Sequence, residues 1–167
     1  MDHANLVAID THTHAEISCW NPFDNYGEEY DRAADKYFKA GKRPTIQESI
    51  DHYRERKIGL VMFMVDAESN TGRRRIPNEE IAEAAQKNSD IMIAFASIDP
   101  HKGKLGVREA RKLIEEDHVD AIMGPSTTPN SIALLDVIGA AGVPMISLAG
   151  SSAVNEPPEG NRRWAFK

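Results

Sequence analysis

The sequence predicts an α/β protein built on a mainly parallel sheet of five to six strands with alternating helices. Short apolar runs alternate along the chain with segments whose apolar residues recur at helical spacing. The middle runs are almost continuously apolar, which is typical of strands covered on both faces. Alternation of strand and helix favours parallel pairing with right-handed crossovers. The predicted strands are NLVAID (5–10), GLVMFMV (59–65), IMIAFASI (91–98), VDAIMG (119–124) and VPMISLA (143–149).

Four of the intervening segments have the pattern of helices. Thr45 precedes Glu48 by three residues, which is the spacing of a reciprocal capping box. Asn78 is a candidate N-cap of the next helix. The last helix has Thr128 as its predicted N-cap and Gly142 as its C-terminal stop. The predicted helical segments are 43–57, 77–88, 106–116 and 128–142.

Residues 17–44 interrupt the alternation with a long excursion after the first strand. This excursion holds more than half of the aromatic side chains, and part of it has helical spacing. The aromatic residues either anchor a lid-like loop onto the body or form a wall beside a pocket. They are Trp20, Phe23, Tyr26, Tyr30, Tyr37 and Phe38.

Composition excludes several classes of protein. A chain of 167 residues fits one domain, and its net charge of −6 argues against a nucleic-acid partner. No apolar run approaches the roughly 18 residues of a membrane helix. The N-terminal sequence lacks the pattern of an export signal, and Cys19 is the single cysteine, so we expect a cytoplasmic protein. The basic run Arg73 to Arg75 is either a solvated loop or a phosphate or carboxylate clamp.

Two histidines stand two residues apart in VAIDTHTHAE (7–16), after the first predicted strand. Residues i and i+2 of a strand point to the same side, so His12 and His14 can converge on one point. Imidazole nitrogens at this spacing suit a divalent transition metal such as zinc. Asp10 is close enough to orient a ligand or to contribute an oxygen. The alternative is that two polar residues simply end a strand.

The same stretch resembles the opening strand of the amidohydrolase superfamily. The continuation HAEISCWNPFDNYGEEYDRAADKYF, with MFMVDAES and FASIDPHKGKLGVREARKLIEE, is similar to its amidohydrolase-related branch, which includes aminocarboxymuconate-semialdehyde decarboxylase-like enzymes. The resemblance covers about residues 5–116. It implies a (β/α)₈ barrel in which His12 and His14 bind zinc or another divalent metal for hydrolysis or decarboxylation of a small molecule.

The later metal ligands of that family are missing from this sequence. The family would supply a further histidine and an acidic residue from later strands, and His52, His101 and His118 do not match those positions. A complete barrel takes about 250 residues, so 167 residues hold only part of one. The resemblance therefore implies half of a barrel with an incomplete metal site, weak or no turnover and no assigned catalytic residue.

The rest of the chain resembles another family. VDAIMGPSTTPNSIALLDVIGAAGVPMISLAGS, followed by RRWAFK, is similar to type I periplasmic binding proteins, closest to the receptors of branched-chain amino acid transporters. The resemblance covers about residues 112–167 and implies part of one flavodoxin-like lobe. It also implies that Ser126, Thr127 and, less directly, Ser151 hold the carboxylate and amino groups of a ligand. The alternative is ordinary helix-start chemistry.

The two resemblances meet near residues 111–117, inside a predicted helix, so the chain is predicted to be a chimera forming one domain over 1–167. Its main predicted function is that of an incomplete metal-dependent amidohydrolase-like protein. The alternatives are a small-molecule binding module for an amino acid or carboxylate, and a non-catalytic scaffold. The expected partner is a small molecule, with no nucleic acid or membrane. Open sheet edges make self-association into a homo-oligomer a further expectation.

Overall fold

Six short strands form two parallel three-stranded sheets in the computed structural model of the chain, which describes residues 1–25, 27–39 and 41–167. Each sheet belongs to its own unit, residues 1–99 and residues 100–167. The predicted α/β class and parallel pairing are confirmed. The single sheet of five to six strands is replaced by two sheets, and a barrel half is not shown. Apolar runs identify strands one at a time, whereas tertiary packing decides which strands pair.

The first unit carries its strands in the order β1-β2-β3, which is also their order along the chain. Helices separate the strands, as the parallel pairing requires. A 3₁₀ turn over His3–Asn5 precedes the first strand. The elements are β1 (Ala8–His14), α1 (Glu28–Phe38), α2 (Ile46–Glu55), β2 (Ile58–Phe63), α3 (Glu68–Thr71), α4 (Asn78–Lys87) and β3 (Met92–Ala94).

The core of the first unit lies between the sheet and helices α2 and α4. Leu60 and Met62 of β2 are fully buried, and so are Ile46 and Ile50 of α2 and Ile81 of α4. Each apolar side chain removed from water contributes roughly 1.5–3 kcal/mol before the entropy of ordering is counted. The sheet and the two helices are therefore held together mainly by these side chains.

Helix α2 begins with the capping box that the sequence predicts. The Glu48 N–H donates to the Thr45 hydroxyl at 3.2 Å, and the Thr45 N–H donates to the Glu48 carboxylate at 2.8 Å. This second hydrogen bond, with a further one from Lys42, lowers the pKa of Glu48 to about 2. The carboxylate is therefore ionised at neutral pH and suits the positive end of the helix.

Asn78 does not cap helix α4, because Pro77 occupies the N-cap position. The buried Asn78 side chain instead donates to the Ser97 carbonyl at 3.0 Å and accepts from the Ser97 N–H at 2.9 Å. The Asn78 amide thereby satisfies the hydrogen-bonding capacity of the N–H and the carbonyl of Ser97, which lies beyond the end of β3. Asn78 therefore fixes the chain that follows β3.

The second unit forms the sheet β4-β5-β6, again parallel and in chain order. Helix α6 has Thr127 as its N-cap and Thr128 as its first helical residue, so the cap lies one residue earlier than predicted. Gly142 ends the helix with a φ of 69°, as expected of a C-terminal glycine. The elements are α5 (Lys104–Glu115), β4 (Ile122–Met123), α6 (Thr128–Ala141), β5 (Met145–Ile146) and β6 (Ala165–Phe166), with 3₁₀ turns over Pro100–Lys102, Ser152–Val154 and Gly160–Trp164.

The predicted junction at 111–117 overlaps the end of α5, within the second unit. The single domain over 1–167 stays a prediction. None of the helices in the described ranges is both long and apolar enough to span a membrane.

The excursion over 17–44 is held at its start by polar contacts, and its described aromatic side chains are exposed. The side chains at 20, 23, 30, 37 and 38 have large exposed fractions, which contradicts the first of the two alternatives, that they anchor the segment. Tyr26 lies outside the described residues. The Glu80 carboxylate of α4 instead accepts from the Ser18 hydroxyl at 2.6 Å and the Cys19 N–H at 2.6 Å. The excursion is tied to the body at its first residues.

Candidate functional site

Strand β1 contains a β-bulge between Asp10 and Thr13. The bulge determines on which face of the sheet these two residues and the two histidines lie. Asp10 pairs with Leu60 and Thr13 with Met62, so three steps along β1 match two along β2. Because paired residues share a face, Asp10 and Thr13 both lie on the face of the buried Leu60 and Met62. The buried Thr13 hydroxyl donates to the Val61 carbonyl at 2.8 Å. The bulge therefore turns Asp10 toward the core side.

His12 and His14 lie on the opposite, open face of the sheet. The register pairs His14 with Phe63, and both imidazole rings make edge contacts with the Phe63 ring, at centroid distances of 5.3 and 4.8 Å. The Nε2 atoms of the two histidines are 3.1 Å apart, and both residues are exposed. The structure thus brings the predicted pair together with its nitrogens facing each other.

This distance fits two ligands of one divalent metal. Two nitrogens bound to tetrahedral zinc at about 2.0–2.1 Å lie about 3.4 Å apart, close to the 3.1 Å between the two Nε2 atoms. The same separation also fits a hydrogen bond between neutral rings. Within residues 1–25, 27–39 and 41–167, no three His, Cys, Asp or Glu side chains form a metal-sized group. The pair thus has the separation of two metal ligands, and the described residues bring no third ligand to it.

Asp10 contacts the backbone and a tyrosine rather than the point between the histidines. Its Oδ2 accepts from the Tyr53 hydroxyl at 2.7 Å, and its Oδ1 accepts from the His12 N–H at 3.0 Å. These two hydrogen bonds, the tyrosine first, lower the pKa of Asp10. Burial and the contact with Asp10 raise the pKa of Tyr53 to about 12. The geometry gives Asp10 no place as an oxygen ligand, because the bulge puts it on the other face.

The three predicted ligand-binding hydroxyls of the second unit lie after its strands. Ser126 and Thr127 are exposed in the turn between β4 and α6, and the Thr127 side chain makes no capping hydrogen bond. Ser151 follows β5, and its hydroxyl accepts from the Ala153 N–H at 3.3 Å as the N-cap of a short 3₁₀ helix. Ser126 and Thr127 thus face solvent at the start of a long helix, whereas Ser151 already has a local role.

Two buried serines that the sequence analysis missed hold the turns after β4 and β5. The Ser131 and Ser147 hydroxyls share a hydrogen bond of 2.9 Å, and both residues are buried. The Ser131 hydroxyl also donates to the Thr127 carbonyl at 3.1 Å, and the Ser147 hydroxyl accepts from the Ala149 N–H at 3.1 Å. The only signal for this pair is a serine inside each of two apolar runs.

A backbone contact joins the same two turns directly. The Leu148 N–H, which follows β5, donates to the Pro125 carbonyl, which follows β4, at 3.1 Å. The carboxyl ends of parallel strands commonly carry the binding residues of α/β proteins. Ser126 and Thr127 therefore lie where such a protein has its site.

The basic run over residues 73–75 is neither a solvated loop nor a free anion clamp. Arg73 contacts Asp31 at 2.8 Å, Arg74 contacts Asp24 at 3.0 Å and Arg75 contacts Asp66 at 2.9 Å. Each guanidinium therefore pairs with a different carboxylate, and Arg73 shares Asp31 with Arg43. The run connects three segments of the first unit.

Comparisons with known proteins leave the family open. No family model matches the chain, and no curated protein matches it significantly. Neither comparison supports the amidohydrolase resemblance of residues 5–116. The solved structure of an extracellular ligand-binding receptor from Rhodopseudomonas palustris HaA2 is similar to part of the chain, at 31% identity and a TM-score of 0.41. That match covers 46% of this chain and 21% of the receptor, about a fifth of its length.

Proposed function

We propose that the second unit binds a small carboxylate, such as an amino acid, at the turn between β4 and α6. The observation that carries the proposal is the exposure of Ser126 and Thr127 before a helix of 14 residues, with the Thr127 hydroxyl making no cap bond. The first N–H groups of a helix have no partner within the helix, and its dipole favours an anion there. Hydroxyl and N–H donors together suit a carboxylate.

The buried hydroxyl pair supports this proposal by fixing the turn in advance. Ser131 bonds to the Thr127 carbonyl and to Ser147, which lies beyond the end of β5. A ligand that meets a preformed turn spends less of its binding free energy on ordering the protein. The backbone of the turn at Thr127 is thus held by the hydroxyl of Ser131, which Ser147 holds in turn.

Calorimetry with leucine as the probe tests the proposed carboxylate site. We expect saturable heat with the full chain, and at least about tenfold weaker binding in the Ser126→Ala, Thr127→Ala variant, because hydrogen bonds to charged groups contribute about 1.5–3 kcal/mol each. Ser89→Ala is the matched control, since Ser89 lies in the first unit, outside the proposed site. Heat no greater than dilution, or equal affinity in the double variant and the control, would contradict the proposal.

A second proposal is that His12 and His14 bind one divalent metal, favoured by the 3.1 Å between their Nε2 atoms. Water or a bound substrate would complete the coordination sphere, as in open metal sites. When bound, such a metal polarises a carbonyl or carboxylate oxygen. The two exposed histidines hold the metal on the open face of the sheet, where a small molecule can reach it. No described residue is assigned as an acid or base for turnover.

Competition titration with a chromophoric chelator tests this metal site with zinc alone. We expect one zinc per chain, and at least about tenfold weaker zinc affinity in both His12→Ala and His14→Ala, because each variant removes one of two protein ligands. His3→Ala is the control, since His3 is exposed and lies before β1. Equal zinc affinity in all four proteins would show that the pair is not a metal site.

A further inference from the structure

We infer that Tyr53 and Asp10 are positioning residues for the metal pair, an inference that rests on the metal-binding function proposed for His12 and His14. The Tyr53 hydroxyl donates to one Asp10 oxygen at 2.7 Å, and the other oxygen accepts from the His12 N–H at 3.0 Å. Tyr53 is a partly buried residue of α2, and α2 packs against the sheet through its buried residues. A rigid helix is thereby connected to the backbone of one metal ligand.

The bulge explains why this connection is needed. It inserts one residue of β1 between the pairs at Asp10 and Thr13, which interrupts the regular hydrogen bonding of the strand. His12 lies in that interruption, and its N–H is directed to Asp10 rather than along a regular ladder. The Asp10 carboxylate thus fixes the β1 backbone at the bulge, where the pairing with β2 is interrupted.

The exposed histidine side chains have few other constraints. Both rings contact Phe63, and their remaining surroundings are open enough to leave both residues exposed. Metal affinity depends on holding the two Nε2 atoms at the required separation before the metal arrives. Outer hydrogen-bond partners of metal ligands typically change affinity by 10–100-fold when removed. The contact through Asp10 acts on the His12 backbone and so on the separation of the pair.

Tyr53→Phe removes the hydroxyl and keeps the ring. In the full chain we expect zinc affinity about tenfold weaker than in the unsubstituted protein. The matched control is Tyr37→Phe, which makes the same chemical change at an exposed tyrosine of α1. The visible absorption of the cobalt-saturated protein gives a second readout. A change in ligand geometry alters its band positions and intensities, whereas a loss of stability alone lowers the unfolding midpoint and leaves the spectrum unchanged.

Two substitutions of Asp10 separate positioning from charge and decide the question if Tyr53→Phe does not fold. Asp10→Asn keeps an acceptor for the His12 N–H, so we expect its zinc affinity within about threefold of the unsubstituted protein, whereas Asp10→Ala falls by about tenfold or more. Equal losses in the two variants would assign the effect to charge and overturn the inference. The inference is also overturned by a second result. In that result Tyr53→Phe and Asp10→Ala bind zinc within about twofold of Tyr37→Phe and keep the cobalt spectrum, while His12→Ala still loses zinc. If His12→Ala and His14→Ala bind zinc normally, the proposed metal site and this inference both fail.

Discussion

Replacing Glu80 with alanine is expected to lower the free energy of unfolding of the unit formed by residues 1–99 by about 3 kcal/mol. The Glu80 residue is only 3% exposed, and its carboxylate accepts from the Ser18 hydroxyl and from the Cys19 and Trp20 N–H groups at 2.6, 2.6 and 3.2 Å. A hydrogen bond to a charged group contributes about 1.5–3 kcal/mol, and alanine leaves these donors without that acceptor. The loss also frees the start of the excursion over 17–44.

Urea unfolding measures this effect. Trp20 fluorescence in a Trp164→Phe background reports the first unit, because the chain has two tryptophans and Trp164 belongs to the second unit. Glu79→Ala is the matched control, since Glu79 is an exposed glutamate in the same turn of α4, and we expect a loss of less than about 1 kcal/mol. Similar losses in the two variants would contradict the assigned role of Glu80. Glu80→Gln keeps one acceptor and should fall between them.

Local patterns in the sequence were enough to predict most of the secondary structure. The capping box at Thr45 and Glu48 involves residues three apart, and the glycine stop at Gly142 depends on its own backbone conformation. Strand β1 was expected over 5–10 and forms over 8–14, so the histidines belong to the strand rather than follow it. The division into two sheets could not be predicted, because strand pairing depends on residues far apart along the chain.

The candidate metal site shows the same limit at the level of single side chains. The i, i+2 spacing correctly predicts that His12 and His14 share one side. Applied to Asp10, the same rule places it on that side too, and the structure places it on the other. The bulge responsible arises from the register between β1 and β2, which only the paired strands define. The carboxylate of Asp10, which the sequence offers as a metal ligand, instead accepts a hydrogen bond from the His12 backbone N–H.

The arginine run shows most directly what the sequence alone cannot supply. A run of three like charges predicts either solvation or an anion site, and the choice depends on where acidic residues from distant segments lie. Residues 73, 74 and 75 each meet a different carboxylate, from α1, from the part of the excursion that precedes α1, and from the segment after β2. The three ion pairs differ in burial, so three adjacent arginines are expected to contribute unequally to stability.

Arg75→Ala is expected to lower the free energy of unfolding of the first unit by about 3 kcal/mol, and Arg74→Ala by less than about 1 kcal/mol. The Arg75 side chain is 24% exposed and meets an Asp66 side chain that is fully buried, whereas Arg74 is 54% exposed and meets a partly exposed Asp24. Removing Arg75 takes a guanidinium from a carboxylate that water does not reach, while water can replace Arg74 at Asp24. Urea unfolding of both variants under the conditions used for Glu80→Ala gives the comparison. Equal losses in the two variants would show that burial does not rank these ion pairs. If inorganic phosphate stabilises the unsubstituted protein but not Arg74→Ala, the run acts as an anion clamp.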